Sequence, residues 1–157
     1  MDRYDLQDKL GEGGMGAVYR AVDKELGRVV AIKVISLAMD SESIRRFQRE
    51  MKLLSKLSHP NIIRVYDSGV TSDNRSYFAM ELVEGVDLDR MRKTDGALSF
   101  ELASSLLAQA ADALATVHEQ ELLHRDVKPA NLMVEKGVRL VVMDFGLVKD
   151  PNATMLT

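Results

Sequence analysis

Hydrophobic positions along this chain follow a period of two in some stretches and of three to four in others, with glycine, proline and polar clusters at the boundaries. Residues 4–10 and 17–22 are β-like runs on either side of a glycine cluster, which predicts a hairpin. Residues 28–35 (RVVAIKVI) are β-branched and nearly unbroken, as a strand covered on both faces must be, so the lysine among them, Lys33, stands out. From Ser41 the spacing becomes helical: Ile44, Phe47, Met51, Leu54 and Leu57 recur three or four apart. Asp40 or Ser41 would cap that helix, and His59-Pro60 should end it. Two further strand-like runs, 62–66 and 77–83, flank a polar loop at 71–75. The first half therefore predicts five strands and one helix.

The second half opens on a turn at Glu84-Gly85, a short helical segment at 88–91 and a break at Thr94-Asp95-Gly96. A long helix follows, capped by Ser99, with Leu102, Leu106, Ala110, Ala113, Leu114 and Val117 tracing one apolar face down to about Glu119. Two short apolar runs, 132–134 and 138–143, are joined by a turn at Lys136-Gly137.

With 157 residues and 46% hydrophobic content, the chain can bury one core of useful size. A net charge of -3 leaves no basic surplus for nucleic acid or an anionic membrane. No apolar run is long enough to span a bilayer, and the charged, glycine-rich start is unlike a signal peptide. The absence of cysteine rules out disulfides and thiolate metal sites. A soluble, cytoplasmic protein without a membrane segment is expected.

Gly11-Glu12-Gly13-Gly14-Met15-Gly16-Ala17-Val18 fits G-x-G-x-x-G-x-V, a spacing that arises by chance in roughly 5% of chains of this length. A dinucleotide-binding loop would need a helix directly after the glycines, whereas a β-branched run follows here. A hairpin whose backbone closes over phosphates fits better. Alternation puts Lys33 on one strand face with Ala31 and Ile35, and an edge lysine there could simply reach water. Glu50, however, interrupts the apolar face of the first helix, and a carboxylate in that setting needs a cation. The two side chains answer each other.

The most specific signal is His124-Arg125-Asp126-Val127-Lys128-Pro129-Ala130-Asn131 followed by Asp144-Phe145-Gly146. Asp126 can accept a proton from a hydroxyl, Asn131 and Asp144 offer hard oxygen ligands for magnesium, and Lys128 can neutralise a transferring phosphoryl group. Taken in order, the glycine loop, the VAIK lysine, the helix glutamate, HPNII, HRDVKPAN and DFG resemble the eukaryotic-type protein kinases over the whole chain, particularly their bacterial serine/threonine members. Lysine two places after Asp126 matches the serine/threonine form.

The resemblance implies an α+β, two-lobed fold. Residues 1–82 would form an ATP-binding lobe with a five-stranded antiparallel sheet and one helix, and 83–157 part of a helical lobe that stops inside the activation segment. It implies ATP and Mg2+ as cofactors, a protein substrate, and transfer of the γ-phosphate to Ser or Thr hydroxyls. Gly11, Gly13, Gly16, Val18, Ala31, Lys33, Met80, Glu81, Val83 and Met133 would contact the nucleotide. Met80 would be the gatekeeper, and Met133 would lie beneath the adenine opposite Val18 and Ala31. Asp126, Lys128, Lys33 and Glu50 would be catalytic, with Asn131 and Asp144 holding metal. Leu54, Val65, His124 and Phe145 would form an internal regulatory stack, and Thr154 or Thr157 would be the site of loop phosphorylation. A helical lobe that stops early should expose the apolar face of the long helix and favour self-association. The rival expectation is a catalytically impaired ATP-binding or interaction fragment of such a kinase.

Overall fold

A computed structural model describes residues 2–36 and 40–145. They divide into two compact units, one built from residues up to Ser58 with Arg64–Leu82, the other from His59–Ile63 with the residues from Val83 on.

The first unit is a five-stranded antiparallel sheet and a helix. Its strands are β1 (Tyr4–Gly13), β2 (Gly16–Asp23), β3 (Arg28–Ile35), β4 (Val65–Val70) and β5 (Ser76–Met80), in the order β1-β2-β3-β5-β4, and its helix is α1 (Ser41–Leu54). β3 is central and buried on both faces, as its unbroken β-branched run predicts. On one face Tyr4, Ala21, Val30, Ile32, Val34 and Ala79 form a cluster against which Tyr19, Tyr66 and Tyr77 pack. On the other, Lys33 stands opposite Phe78 in the β3–β5 register, and the Phe78 ring meets Phe47 of α1 at 6.1 Å. Directly opposed residues share a face. Lys33 therefore lies on the face that α1 covers with Phe47, Met51 and Leu54.

Asp40, rather than Ser41, caps α1 by accepting the Ser43 N–H (2.8 Å). The chain start is fastened to the sheet by a bidentate pair in which Arg3 Nε and Nη2 donate to Asp23 Oδ1 (3.0 Å) and Oδ2 (2.7 Å). Arg3, together with the backbone N–H groups of Leu26 and Glu25, holds the buried Asp23 carboxyl down at about 2.

In the second unit, β6 (Gly85–Asp87), β7 (Leu132–Glu135) and β8 (Arg139–Val142) form a small antiparallel sheet beside α2 (Leu88–Asp95) and α3 (Phe100–Glu119). Asp87 and Ser99 cap the two helices through the Arg90 and Leu102 N–H groups. Leu106, Ala110, Ala113 and Val117 are buried, and α3 packs on β8. This corrects the expectation of an exposed helix face: β8, on which α3 packs, supplies cover from within the unit. The exposed large hydrophobic side chains of α3 are Phe100 (82%) and Leu107 (62%), which lie off that stripe.

Two further differences from the sequence reading have local causes. The fourth strand begins at Val65, not at 62, because Ile62 forms a parallel bridge with Val142 of β8 instead. β6, only three residues long, gave no periodicity to read.

Candidate active site

The glycine-rich tip joins β1 to β2, with Gly11 opposite Val18, Glu12 opposite Ala17 and Gly13 opposite Gly16. Its glycines are there for two different reasons. Gly16 has φ +142, and a Cβ at that position would stand 2.0 Å from the Val34 carbonyl oxygen, so no side chain fits. Gly11, Gly13 and Gly14 have nothing within 4 Å of where a Cβ would be. Protein packing does not require glycine at those three positions, and the space they leave is open to a group approaching the backbone from outside. A phosphate chain cradled by N–H groups has that requirement.

On β3, Ala31 lies opposite Arg20 and Met80, and Lys33 opposite Val18 and Phe78. Ala31 is 3% exposed, Met80 2% and Lys33 7%. Burial of a lysine ammonium is costly without an anionic partner. Glu50 belongs to α1 between the buried Phe47 and Leu54, on the helix that covers the Lys33 face. The Glu81 N–H donates to the Arg64 carbonyl oxygen at 2.9 Å, and its carboxylate accepts from the Arg64 N–H at 3.3 Å.

In the second unit, residues 124–131 form a loop whose order comes from its own hydrogen bonds. Lys128 Nζ donates to Asp126 Oδ2 (2.8 Å), and Asn131 Nδ2 donates to the Asp126 carbonyl (2.8 Å) and to Oδ2 (3.0 Å). Pro129 opens a short 3-10 turn, Pro129–Asn131, that delivers the buried Asn131 to the start of β7. The Met143 N–H, just before Asp144, donates to the Asn131 carbonyl oxygen at 2.9 Å. The two expected metal ligands thus come from backbone segments joined by a direct hydrogen bond.

His124 ties the loop together from beneath. The Asp126 N–H donates to its Nδ1 (3.2 Å), so the ring proton is on Nε2, which donates to the Met143 carbonyl oxygen (2.6 Å). Burial pushes the imidazole below its ordinary value and keeps it neutral, which this tautomer requires. Its ring lies 4.6 Å from that of Phe145. Arg125 (φ 61) and Asp144 (φ 46) both adopt left-handed backbone without being glycine, at a cost of about 1–3 kcal/mol each that the surrounding contacts must offset. Sequence reading found the residue types here but not this backbone geometry, for which no periodicity gives a signal.

Val83 and Met133 also belong to the second unit. Val83 is half-buried beyond the end of β5, and Met133 on β7 pairs with Asp87 and Val141. Gly146, Thr154 and Thr157 lie outside the described residues. Among the described residues there is no group of three or more His, Cys, Asp or Glu side chains able to hold a metal by themselves. An amide oxygen and a carboxylate suit a hard cation that takes its remaining ligands from water and phosphate, as magnesium does. Among the same residues no helix is long and apolar enough to cross a membrane.

Known proteins resemble this chain over nearly its whole length. The serine/threonine-protein kinase PknB of Mycolicibacterium smegmatis is 42% identical over 94% of this chain, and PrkC of Bacillus subtilis is 39% identical over 99% of it. The serine/threonine-protein kinase PknA of Mycobacterium tuberculosis is 40% identical over 99% of the chain. The chain spans 24% of the length of PknB and PrkC and 37% of that of PknA. The protein kinase domain family matches residues 4–156, and the chain belongs to that family.

Proposed function

We propose that this chain carries the ATP- and magnesium-binding machinery of a protein serine/threonine kinase, which transfers the γ-phosphate of ATP to Ser or Thr hydroxyls of a protein. The observation that carries the reading is the Asp126 carboxylate, held by Lys128 and by Asn131 within one loop. A carboxylate fixed in that way is oriented to accept the hydroxyl proton as the oxygen–phosphorus bond forms, and Lys128 offsets negative charge on the group being transferred.

From the first unit, Gly11, Gly13 and Gly16 give the backbone close access to phosphate, Lys33 binds phosphate oxygens and is oriented by Glu50, and Val18, Ala31, Met80 and Glu81 bound the adenine. From the second, Val83 and Met133 contact adenine, while Asn131 and Asp144 hold magnesium. Bound magnesium neutralises the phosphate oxygens and polarises the transferred group. Phe100 and Leu107 are apolar surface through which the chain self-associates, a property that sedimentation at two concentrations tests. Lack of cysteine and dependence on ATP favour a cytoplasmic location.

The test is phosphate transfer from ATP and magnesium by the purified chain onto itself and onto a generic protein, read by mass spectrometry. Phosphoserine or phosphothreonine is expected with the wild-type chain and is lost in Asp126→Asn, by about 100-fold or more, while ATP affinity stays within about twofold. Well-folded chain that binds ATP and transfers nothing would instead make it a nucleotide-binding fragment.

A further inference from the structure

β8 is paired with β7 on one side, and its other edge presents backbone groups that need partners. Those partners come from two amide side chains and one short segment. Gln109 Nε2 donates to the Val138 carbonyl (2.9 Å), and Gln109 Oε1 accepts from the Leu140 N–H (2.9 Å). Asn61 Nδ2 donates to the Leu140 carbonyl and to Gln109 Oε1, each at 2.7 Å. Past that point the Asn61 carbonyl accepts from the Val142 N–H (2.8 Å), and the Ile63 N–H donates to the Val142 carbonyl (3.0 Å). From Val138 to Val142 the outer edge is met group by group, first by a glutamine from α3, then by an asparagine, then by backbone.

The arrangement is specific in direction and register. The Gln109 amide offers a donor and an acceptor in fixed order, and along β8 they match the Val138 carbonyl followed by the Leu140 N–H. A slip of two residues, the smallest that keeps the same side chains facing the core, would set the amide against the Val142 N–H, which Asn61 already holds. The strand locked in this way leads directly into Met143, which bonds Asn131 and His124, and then Asp144. A glutamine on a helix surface is ordinarily a solvated side chain that any polar residue replaces; this one makes three directed bonds to groups distant in sequence.

We propose that Gln109, together with Asn61, is a positioning pair that fixes the register of β8 and thereby the placement of Asp144 for magnesium. The proposal rests on the reading of Asn131 and Asp144 as magnesium ligands, and its test separates the two. Magnesium chloride is titrated into the wild-type chain with ADP, and ADP affinity is measured separately in EDTA. Magnesium-dependent binding that Asp144→Asn abolishes establishes the ligand reading. With that in hand, Gln109→Leu, close in volume but without the three bonds, raises the half-saturating magnesium concentration about tenfold while ADP affinity in EDTA stays within about twofold. Gln109→Glu keeps the two accepted bonds and loses the donation to Val138, so it shifts the magnesium value by about threefold and decides the matter if the leucine variant does not fold. An unchanged magnesium value, or a parallel loss of ADP affinity in EDTA, overturns the proposal. If the wild-type chain binds no magnesium with ADP, the ligand reading fails. Amide hydrogen exchange over residues 138–144 then decides for β8: exchange about tenfold faster in Gln109→Leu supports the lock, and unchanged exchange overturns it.

Discussion

The glycine-rich tip in the first unit and the 124–131 loop in the second both hold candidate site residues and are held in opposite ways. In the tip each residue is placed by the strand neighbour opposite it, Gly11 by Val18 and Glu12 by Ala17, so position follows from a ladder of contacts between nearby residues. The 124–131 loop has no ladder. His124 reaches Met143, nineteen residues on, and Asn131 reaches back five residues to Asp126. Left-handed Arg125 and Asp144 are held in place by such bonds. A ladder shares its load over many equivalent bonds, whereas the loop concentrates it on one buried imidazole and one amide, so a single substitution should harm the two regions very differently.

The largest effect expected is within the ladder at its one congested point. Gly16→Val would drive a side chain into the Val34 carbonyl and should cost about 4 kcal/mol or prevent folding. Gly13→Ala, three residues earlier and in open space, should cost less than about 1 kcal/mol in guanidinium unfolding while weakening ATP binding. Equal stability losses in the two variants would contradict the division of the glycines into packed and ligand-facing ones.

Next is His124→Leu. It leaves the Met143 carbonyl and the Asp126 N–H without their ring partner and should cost about 2–3 kcal/mol by guanidinium unfolding, more than any single exposed substitution in the tip. A loss under about 0.5 kcal/mol would mean that the loop has other support.

The smallest effect is a pH dependence that separates the two units. The His124 pKa lies below its ordinary 6.5 in the folded chain, so its contribution is complete above that value. As pH falls below 6.5 the unfolded chain takes up the proton first, and stability declines. Asp23 has the depressed carboxyl of an ion pair, and its contribution is complete above 3.8 and is lost as pH falls from there toward about 2. Hydrogen exchange at pH 5 should therefore show the second unit loosened around residues 124–131 and the Arg3–Asp23 clamp of the first unit intact. Simultaneous loosening of both would break the comparison.

Much of this was legible in the residues. The buried strand 28–35, the helix beginning near Ser41, the long helix capped by Ser99, and the identity of Lys33, Glu50, Asp126, Asn131 and Asp144 as candidates all follow from spacing, burial pattern and side-chain chemistry. The apolar run at 62–66 was legible as buried but not as to where it goes. Asn61 bonds Leu140, a residue 79 positions away, and draws Ile62 and Ile63 onto β8, so the strand begins only at Val65. The buried face of α3 is another such case, apolar by its period but packed on β8, a strand that no local rule assigns to it. Gln109 is the clearest case. Its neighbours in sequence are ordinary helix residues, and its importance lies in two bonds to a strand edge formed elsewhere in the chain and a third to Asn61. Sequence by itself determined which segments become strands and helices and which side chains can do chemistry, because periodicity and reactivity are local properties. Tertiary structure alone decided the register of β8, the left-handed turns at Arg125 and Asp144 and the histidine tautomer, because each depends on a hydrogen-bond partner that only the folded chain brings within reach.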